Sequence, residues 1–255
     1  MTSDLQVKPA LDIAENPAWY HTIDLPDGRF TPGYVDWRRH ARRVLPDSLK
    51  GMRCLDVGTY DGFWAFELES RGAAVTAIDV AALDHAAWPP VNRAKLAADA
   101  QAFGLELGRG FRIASALRES SVQRVECDVL DLSPAAVGGR FDLVFLGALL
   151  LHLRDPVRAL ENILSVLEPG GRLILVEAIS LPETILHPRT PLARFDTMAN
   201  AMNWWLPNVR TLHHYLWAAG FVSSERRGGL LRPPAKPAMR CWYYGLEAIA
   251  PPATA

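Results

Sequence analysis

The chain has 255 residues, of which 49% are hydrophobic and 22% charged, as expected for a globular protein with a sizeable core. Its formal net charge of −1 lacks the overall basic excess of most nucleic-acid-binding proteins. The sequence shows neither a signal segment nor an apolar run long enough to cross a bilayer, so we expect a cytoplasmic protein that does not enter the membrane.

Short apolar runs alternate with helical patterns along most of the chain. In chain order, the patterns predict a helix over 35–44, a strand over 53–57, a helix over 62–70, a strand over 74–78, helices over 92–103 and 112–119, strands over 122–127 and 141–146, a helix over 156–167 and a strand over 172–178. This alternation predicts an α/β fold with a parallel sheet that is covered on both faces.

The end of the chain follows a different pattern. A helix over 211–219 precedes two strand-like segments, 221–227 and 239–249, which we expect to pair antiparallel at one edge of the sheet. Residues 180–210 have no strong period and are interpreted as a lid inserted after the fifth strand. We therefore divide the chain into an N-terminal segment, 1–45, that can fold over the site, and a main domain, 46–255.

The loop between the first strand and its helix indicates a nucleoside site. Gly58 ends the strand, where a glycine lets the backbone turn tightly and approach a ligand. The loop lacks the second glycine of a dinucleotide-binding loop, since Tyr60 stands at that position. Asp61 makes the loop acidic, and an acidic loop suits a cationic ligand such as S-adenosylmethionine. Asp79, 21 residues beyond Gly58, is placed to bind ribose hydroxyls, and Asp128 is placed to accept from an adenine amino group.

Several motifs resemble those of class I S-adenosylmethionine-dependent methyltransferases. They are Leu55 to Gly62, Asp79, Asp128, Phe141 to Phe145 and Pro169-Gly170-Gly171. The chain is more narrowly similar to the group that includes the tRNA wobble-uridine (mo5U-type) methyltransferases, through the segments 19–28, 58–64, 152–156 and 203–208. The resemblance implies a Rossmann-like domain with a seven-stranded, mostly parallel sheet, and S-adenosylmethionine as cofactor.

Two departures from that group concern the substrate. The tRNA enzymes of the group use a carboxylated cofactor and carry a tyrosine that helps to hold its carboxylate, where this chain has Leu151. They also carry a basic N-terminal extension that this sequence lacks. Both differences favour ordinary methyl transfer to a smaller acceptor.

Site residues follow from these motifs. We expect cofactor contacts from Asp56, Gly58, Thr59, Tyr60, Asp61, Gly62, Phe63, Asp79, Val80, Asp128, Val129 and Gly147. His152, just after the fourth strand, is the first candidate for general base, and His21 is the second. Glu177, at the end of the fifth strand, is a candidate for binding an acceptor hydroxyl or a metal. The three cysteines are widely spaced, and no metal-ligand spacing is present, so no metal is expected.

Aromatic and amide side chains predict where the acceptor binds. The candidates are Trp37, Trp64, Asn200, Asn203, Trp204, Trp205 and Asn208. The leading hypothesis is methyl transfer to a hydroxyl of a sugar-containing or secondary metabolite. The alternatives are a tRNA-modifying enzyme, favoured by seven Lys/Arg over 29–53, and an inactive nucleoside-binding scaffold. The chain is also considered as a candidate for forming a homodimer.

Overall fold

A computed structural model describes residues 12–197, 200–236 and 241–253. Its helices are α1 Arg38–Val44, α2 Phe63–Glu69, α3 Pro90–Ala102, α4 Arg109–Leu117, α5 Pro134–Val137, α6 Pro156–Ser165, α7 Leu181–Leu186 and α8 Val209–Ala218. Its strands are β1 Arg53–Val57, β2 Ala74–Asp79, β3 Gln123–Glu126, β4 Phe141–Gly147, β5 Leu167–Ile179, β6 Ala193–Phe195, β7 Trp205–Pro207, β8 Ser223–Leu231 and β9 Trp242–Ile249.

In the described part of the chain, seven strands form one sheet in the order β3-β2-β1-β4-β5-β9-β8. The first five strands run parallel, and β9 and β8 add an antiparallel pair at the edge. This arrangement confirms the predicted Rossmann-like sheet and its C-terminal edge pair. Within the same residues, no helix is both long and apolar enough to span a membrane.

The sheet is covered on both faces, so its central strands are buried. Leu143 and Phe145 of β4 face the hydrophobic cluster that includes α2, whereas Val144 and Leu146 face the cluster that includes α6. Successive side chains of a strand point to opposite faces, which explains why this strand is continuously apolar. The N-terminal segment joins the α2 cluster through Trp19, Ile23, Val35 and Trp37.

Element boundaries differ from the predictions where backbone pairing overrides the local pattern. The first helix begins at Arg38 and not at 35, because Val35 forms bridges with His21 and Ala235. Strand β5 begins at Leu167, since the glycine turn at 168–171 is accommodated by a register shift against β4. Strand β8 extends to Leu231, past a second register shift where two glycines take positive φ. The predicted last strand began at residue 239, which lies outside the described residues.

The insertion after β5 contains regular structure that its sequence pattern did not indicate. Helix α7 opens it, and β6 and β7 pair antiparallel apart from the main sheet. The side chain of Asn208 then caps α8. These short elements are held by contacts with the rest of the domain, so they leave little periodicity in the sequence.

Candidate active site

A cavity of about 610 Å³ lies at the carboxyl ends of β1, β2, β3 and β4. Strand β1 is flanked by β2 on one side and by β4 on the other, so the connections that leave these strands diverge over the sheet edge. Open α/β sheets bind ligands at such a point. The N-terminal segment, the insertion and β9 complete the walls of the cavity.

The loop after β1 brings the backbone to the cavity. Gly58 takes φ +75, and a Cβ placed on it would lie 3.2 Å from the Leu149 side chain. Its N–H and that of Thr59 donate to the carbonyl of Ile78, at 2.9 and 3.0 Å, which fixes the loop against β2. A side chain at position 58 would therefore be strained and would crowd the cavity.

Asp79 lines the cavity at the end of β2. Its two carboxylate oxygens accept from the N–H groups of Tyr60 and Val80, each at 2.8 Å. Burial raises the pKa of this carboxyl. The two backbone bonds hold the side chain in one orientation and leave further lone pairs for a ribose diol.

Asp128 and Val129 line the cavity after β3. One carboxylate oxygen of Asp128 accepts from the N–H of Leu130 at 2.9 Å, and the other accepts no hydrogen bond from a described residue. A carboxylate with a free oxygen beside a ligand cavity is suited to accept from an adenine amino group.

The structure brings part of the predicted cofactor set together. Seven of those residues line the cavity: Gly58, Tyr60, Asp79, Val80, Asp128, Val129 and Gly147. The others, Asp56, Thr59, Asp61, Gly62 and Phe63, are not among its lining residues. Asp56 is buried in β1, where desolvation raises its pKa to about 7. Gly62 precedes α2 with φ +94.

Asp61 binds the N-terminal segment and not the cavity. One carboxylate oxygen accepts from the N–H groups of Tyr20 and His21, at 3.0 and 2.7 Å. The other oxygen lies 2.5 Å from Nδ1 of His21. The His21 ring also stacks on Phe63, with ring centroids 5.3 Å apart, and it lines the cavity.

His152, the first candidate base, also lines the cavity. Its Nδ1 lies 3.1 Å from the carbonyl oxygen of Met202. Because a carbonyl only accepts, Nδ1 carries the proton and a neutral ring keeps a lone pair on Nε2. Burial lowers the pKa of His152 below its ordinary value, which favours the neutral ring.

Glu177 lies behind the cavity wall. It is fully buried and accepts from the N–H groups of Leu150 and Ala178, both at 2.7 Å. Burial raises its pKa to about 7. Its contacts tie the turn Leu150–His152 to β5, so the position of His152 depends on this carboxyl.

The predicted acceptor residues separate into two sets. Trp37, Trp64, Asn200 and Asn203 line the cavity, whereas Trp204, Trp205 and Asn208 are not among the lining residues. The indole N–H groups of Trp204 and Trp205 donate to the carbonyls of Ala87 and Arg154, at 2.6 and 3.2 Å. These two rings therefore attach the insertion to the main domain.

Asn203 lines the cavity and has an amide oxygen that is free to accept a hydrogen bond from a ligand. Its amide nitrogen donates to Asp196 at 3.3 Å, and its buried oxygen has no hydrogen-bond partner among the described residues. A buried polar atom without a partner is unusual in a folded protein. A ligand that donates a hydrogen bond would satisfy it.

Other cavity residues were not predicted from the sequence. They include Tyr20, Tyr34, Cys241, Tyr243 and a mainly apolar set between 83 and 107 around α3. The alternation of residues along the predicted last strand could have placed Tyr243 on an inward face. The set around α3 has no comparable signal, because α3 buries no residue fully and its apolar side chains are spread around it.

The lining residues fit S-adenosylmethionine. Among the described lining residues, the charged side chains are Asp79 and Asp128, and neither Lys nor Arg is present. Two carboxylates and glycine backbone suit a nucleoside with a cationic tail better than a pyrophosphate. In the described part of the chain, no group of three or more His, Cys, Asp or Glu is arranged to hold a metal ion.

Comparison with known proteins places this site in a family. Residues 32–224 match the family described as "Methyltransferase domain". The chain is 30% identical over 198 residues to a tRNA U34 carboxymethyltransferase of Alcanivorax borkumensis, covering 75% of this chain and 52% of that one. A second such enzyme, of Methylococcus capsulatus, is 30% identical over 188 residues, covering 73% and 49%. The chain thus spans about half the length of the curated relatives that it matches.

Solved structures share the fold at low sequence identity. The N-terminal domain of EvdMO1, solved with S-adenosylhomocysteine and D-fucose, has a TM-score of 0.58 at 17% identity and covers 93% of this chain and 94% of its own. The [4+2]-cyclase SpnF has a TM-score of 0.54 at 21% identity, covering 94% and 91%. The family match, the sheet and the cofactor-binding loop agree: the chain belongs to the methyltransferase domain family and is a class I S-adenosylmethionine-dependent methyltransferase.

Proposed function

We propose that this enzyme methylates a hydroxyl group of a small organic acceptor, in the class of secondary metabolites. The observation that supports this best is the cavity itself. Its volume of about 610 Å³ is within the range of small-molecule sites, and it extends from the carboxylates of Asp79 and Asp128 to His21 and His152. One cavity therefore offers cofactor-binding groups and proton-accepting groups together.

Bound S-adenosylmethionine supplies the methyl carbon: a carbon–oxygen bond to the acceptor forms while the carbon–sulfur bond breaks and leaves its electron pair on sulfur. His152 takes the hydroxyl proton on Nε2. Its hydrogen bond to the carbonyl of Met202 supports this role, since it fixes the tautomer with a free lone pair on Nε2. The lowered pKa keeps the ring neutral and ready to accept at pH 7.

His21 is the alternative proton acceptor. Its Nδ1 lies 2.5 Å from the Asp61 carboxylate, a pairing that orients the imidazole ring. We place His152 first because it lies in the turn that comes after β4, and the end of β4 forms the cavity wall at Gly147.

The second candidate function is modification of a tRNA base, which the likeness to the tRNA U34 carboxymethyltransferases favours. Two features favour the small acceptor instead. Leu151 lines the cavity where the resemblance leads one to expect a carboxylate-binding tyrosine. The basic stretch is partly neutralised, since Arg38 pairs with Asp24 and Asp36.

Label transfer tests the proposal. The purified protein is incubated with methyl-labelled S-adenosylmethionine and a cell extract, and the RNA, protein and small-molecule fractions are then separated. We expect label in the small-molecule fraction, and loss of that label with the His152→Gln variant. Label confined to RNA would instead establish the tRNA function.

A further inference from the structure

Five aromatic side chains form one wall of the cavity, which we name the aromatic chamber. Its members are Tyr20, Tyr34, Trp37, Trp64 and Tyr243, and all five line the cavity. The centroids of Trp37 and Trp64 are 5.6 Å apart, those of Trp37 and Tyr243 are 4.9 Å apart, and those of Tyr20 and Tyr34 are 6.0 Å apart. A side-chain hydrogen bond between Tyr20 and Tyr243 joins the two groups of rings. Such a wall offers flat apolar surface to a ligand.

Two indole N–H groups in the chamber have no acceptor among the residues that the structure describes. Trp37 and Trp64 are 3% and 6% exposed, and neither ring donates a hydrogen bond to any described residue. By contrast, the indole N–H groups of Trp19, Trp204 and Trp205 each donate to a backbone carbonyl. A buried tryptophan usually finds an acceptor, so these two donors are available to a ligand oxygen.

The position of Trp64 links the chamber to the cofactor. Its ring stacks on Phe145 of β4, with centroids 4.2 Å apart. Its Nε1 lies 3.2 Å from the point that a Cβ on Gly147 would occupy, and Gly147 lines the cavity at the end of β4. An oxygen bound to this N–H therefore lies at the boundary between the cofactor-binding and aromatic parts of the cavity.

The chamber itself contributes no charged group. The charged lining residues are Asp79, at the end of β2, and Asp128, after β3, and no described Lys or Arg lines the cavity. A phosphate needs cationic groups, which an uncharged compound does not. A flat aromatic ring can also pack its whole face against the chamber rings, whereas a sugar ring is puckered and covers less of them.

Asp61 holds one side of the chamber in place. This carboxylate, 2% exposed, accepts from the N–H groups of Tyr20 and His21 and pairs with the His21 ring. It belongs to the same loop as Gly58 and Tyr60, which line the cofactor side. Asp61 is thus a positioning residue that joins the aromatic chamber to the cofactor-binding loop.

We propose, resting on the methyl transfer proposed above, that the aromatic chamber is the acceptor subsite and selects a planar, uncharged aromatic compound that carries a hydroxyl group. The ligand ring packs against the chamber rings, and a ligand oxygen accepts from the indole N–H groups of Trp64 and Trp37. A sugar hydroxyl is correspondingly disfavoured as the acceptor.

Calorimetry on protein saturated with S-adenosylhomocysteine tests this subsite, with 7-hydroxycoumarin as the planar phenolic probe and methyl α-D-glucopyranoside as the sugar probe. We expect the coumarin to bind and the glucoside not to bind. Trp64→Phe and Trp37→Phe keep an aromatic ring but remove the N–H, so each should weaken coumarin binding about fivefold or more. Trp217→Phe, at a ring that is 75% exposed and does not line the cavity, is the matched control and should change nothing.

Failure of the coumarin to bind, binding unchanged in both phenylalanine variants, or preference for the glucoside would each overturn the subsite. Affinity for S-adenosylhomocysteine, measured in a separate titration of each ligand-free variant, reports whether that variant is folded. Methyl transfer is measured separately, so a protein that binds the coumarin through Trp64 and methylates nothing would contradict the proposed function and leave the subsite standing. A protein that methylates a small molecule but fails the coumarin-binding tests would support the proposed function and contradict the subsite.

The positioning role of Asp61 has its own readout. Asp61→Asn keeps the size of the side chain but removes the charge that pairs with His21. We expect weaker coumarin binding with S-adenosylhomocysteine affinity within about twofold of the parent protein. Equal weakening of both ligands would show that Asp61 serves the loop as a whole and not the acceptor wall.

Discussion

The two halves of the cavity are built in different ways. The cofactor half comes from short segments that directly follow β1, β2, β3 and β4, whose carboxyl ends meet because the strands are parallel. The acceptor half comes from the N-terminal segment, α2, the insertion and β9, which are far apart in the sequence. The first half therefore follows from the fold itself, whereas the second depends on the particular segments that this chain adds to the fold.

This difference explains how the chemistry is distributed. The backbone bonds that fix Asp79 and the Gly58 loop all come from the sheet edge. The acceptor wall is fixed by side-chain contacts between distant segments, such as Asp61 with His21 and Trp204 with the carbonyl of Ala87. Variants in the two halves should thus affect different ligands.

The largest expected effect is on the chemical step. His152→Gln removes the proposed proton acceptor, and we expect kcat to fall by about 10²- to 10⁴-fold, the usual contribution of a general base. S-adenosylhomocysteine affinity should stay within about twofold. His187→Gln, at an exposed histidine outside the cavity, is the control. An unchanged kcat would contradict His152 as the general base and make His21 the candidate.

The next effect concerns the cofactor half. Asp79→Ala removes the carboxylate that we expect to bind the ribose and leaves the N–H groups of Tyr60 and Val80 without their acceptor. S-adenosylhomocysteine affinity, measured by calorimetry, should fall about 10- to 100-fold, as expected for hydrogen bonds to a charged group. Asp84→Ala, at an exposed aspartate, should leave the affinity unchanged. If Asp79→Ala binds as tightly as the parent protein, the cofactor half is assigned wrongly.

A smaller effect, on stability, is expected at Asn208. This variant tests whether Asn208 belongs to the acceptor half of the cavity or only supports the fold. Its side chain accepts from the N–H of Thr211 at 2.9 Å and donates to the carbonyl of Thr190 at 2.9 Å, so it joins the insertion to α8. Asn208→Ala should lower the free energy of unfolding in urea by about 2 kcal/mol. Coumarin affinity should be unchanged, and a loss of that affinity would restore Asn208 to the acceptor half.

The smallest effect is a shift in pH dependence. Because burial lowers the pKa of His152, its ring stays neutral down to a pH below the ordinary histidine value. A reaction that needs the neutral ring is fully active above that pKa and loses activity as the pH falls through it. The acidic limb of the kcat profile should therefore have its midpoint below about 6.5. A midpoint clearly above that value would exclude His152 as the titrating base.

The same contrast accounts for what the sequence could predict. The mostly parallel sheet and the places of Gly58, Asp79 and Asp128 at its carboxyl edge follow from local patterns, because each of these residues stands at the end of an apolar run and the parallel sheet aligns those ends. Asp61 was expected at the cofactor, but its carboxylate turns to the N-terminal segment. Adjacent loop residues point in different directions, and a sequence pattern does not specify which residues face the ligand.

The acceptor half was harder to predict for a physical reason. All four residues are tryptophans, yet Trp204 and Trp205 donate their N–H groups to backbone carbonyls, whereas Trp37 and Trp64 line the cavity. This distinction depends on contacts between segments that lie far apart in the chain. Tyr20 and Tyr243 meet in the same wall for the same reason.

The most direct test of the two-part cavity is a crystal structure with S-adenosylhomocysteine bound. We predict ribose hydroxyls within hydrogen-bond distance of the Asp79 carboxylate, the adenine amino group near Asp128, and the sulfur facing Trp64 and His152. A sulfur that faces away from the aromatic chamber, or a nucleoside bound elsewhere, would contradict the assignment of the two halves.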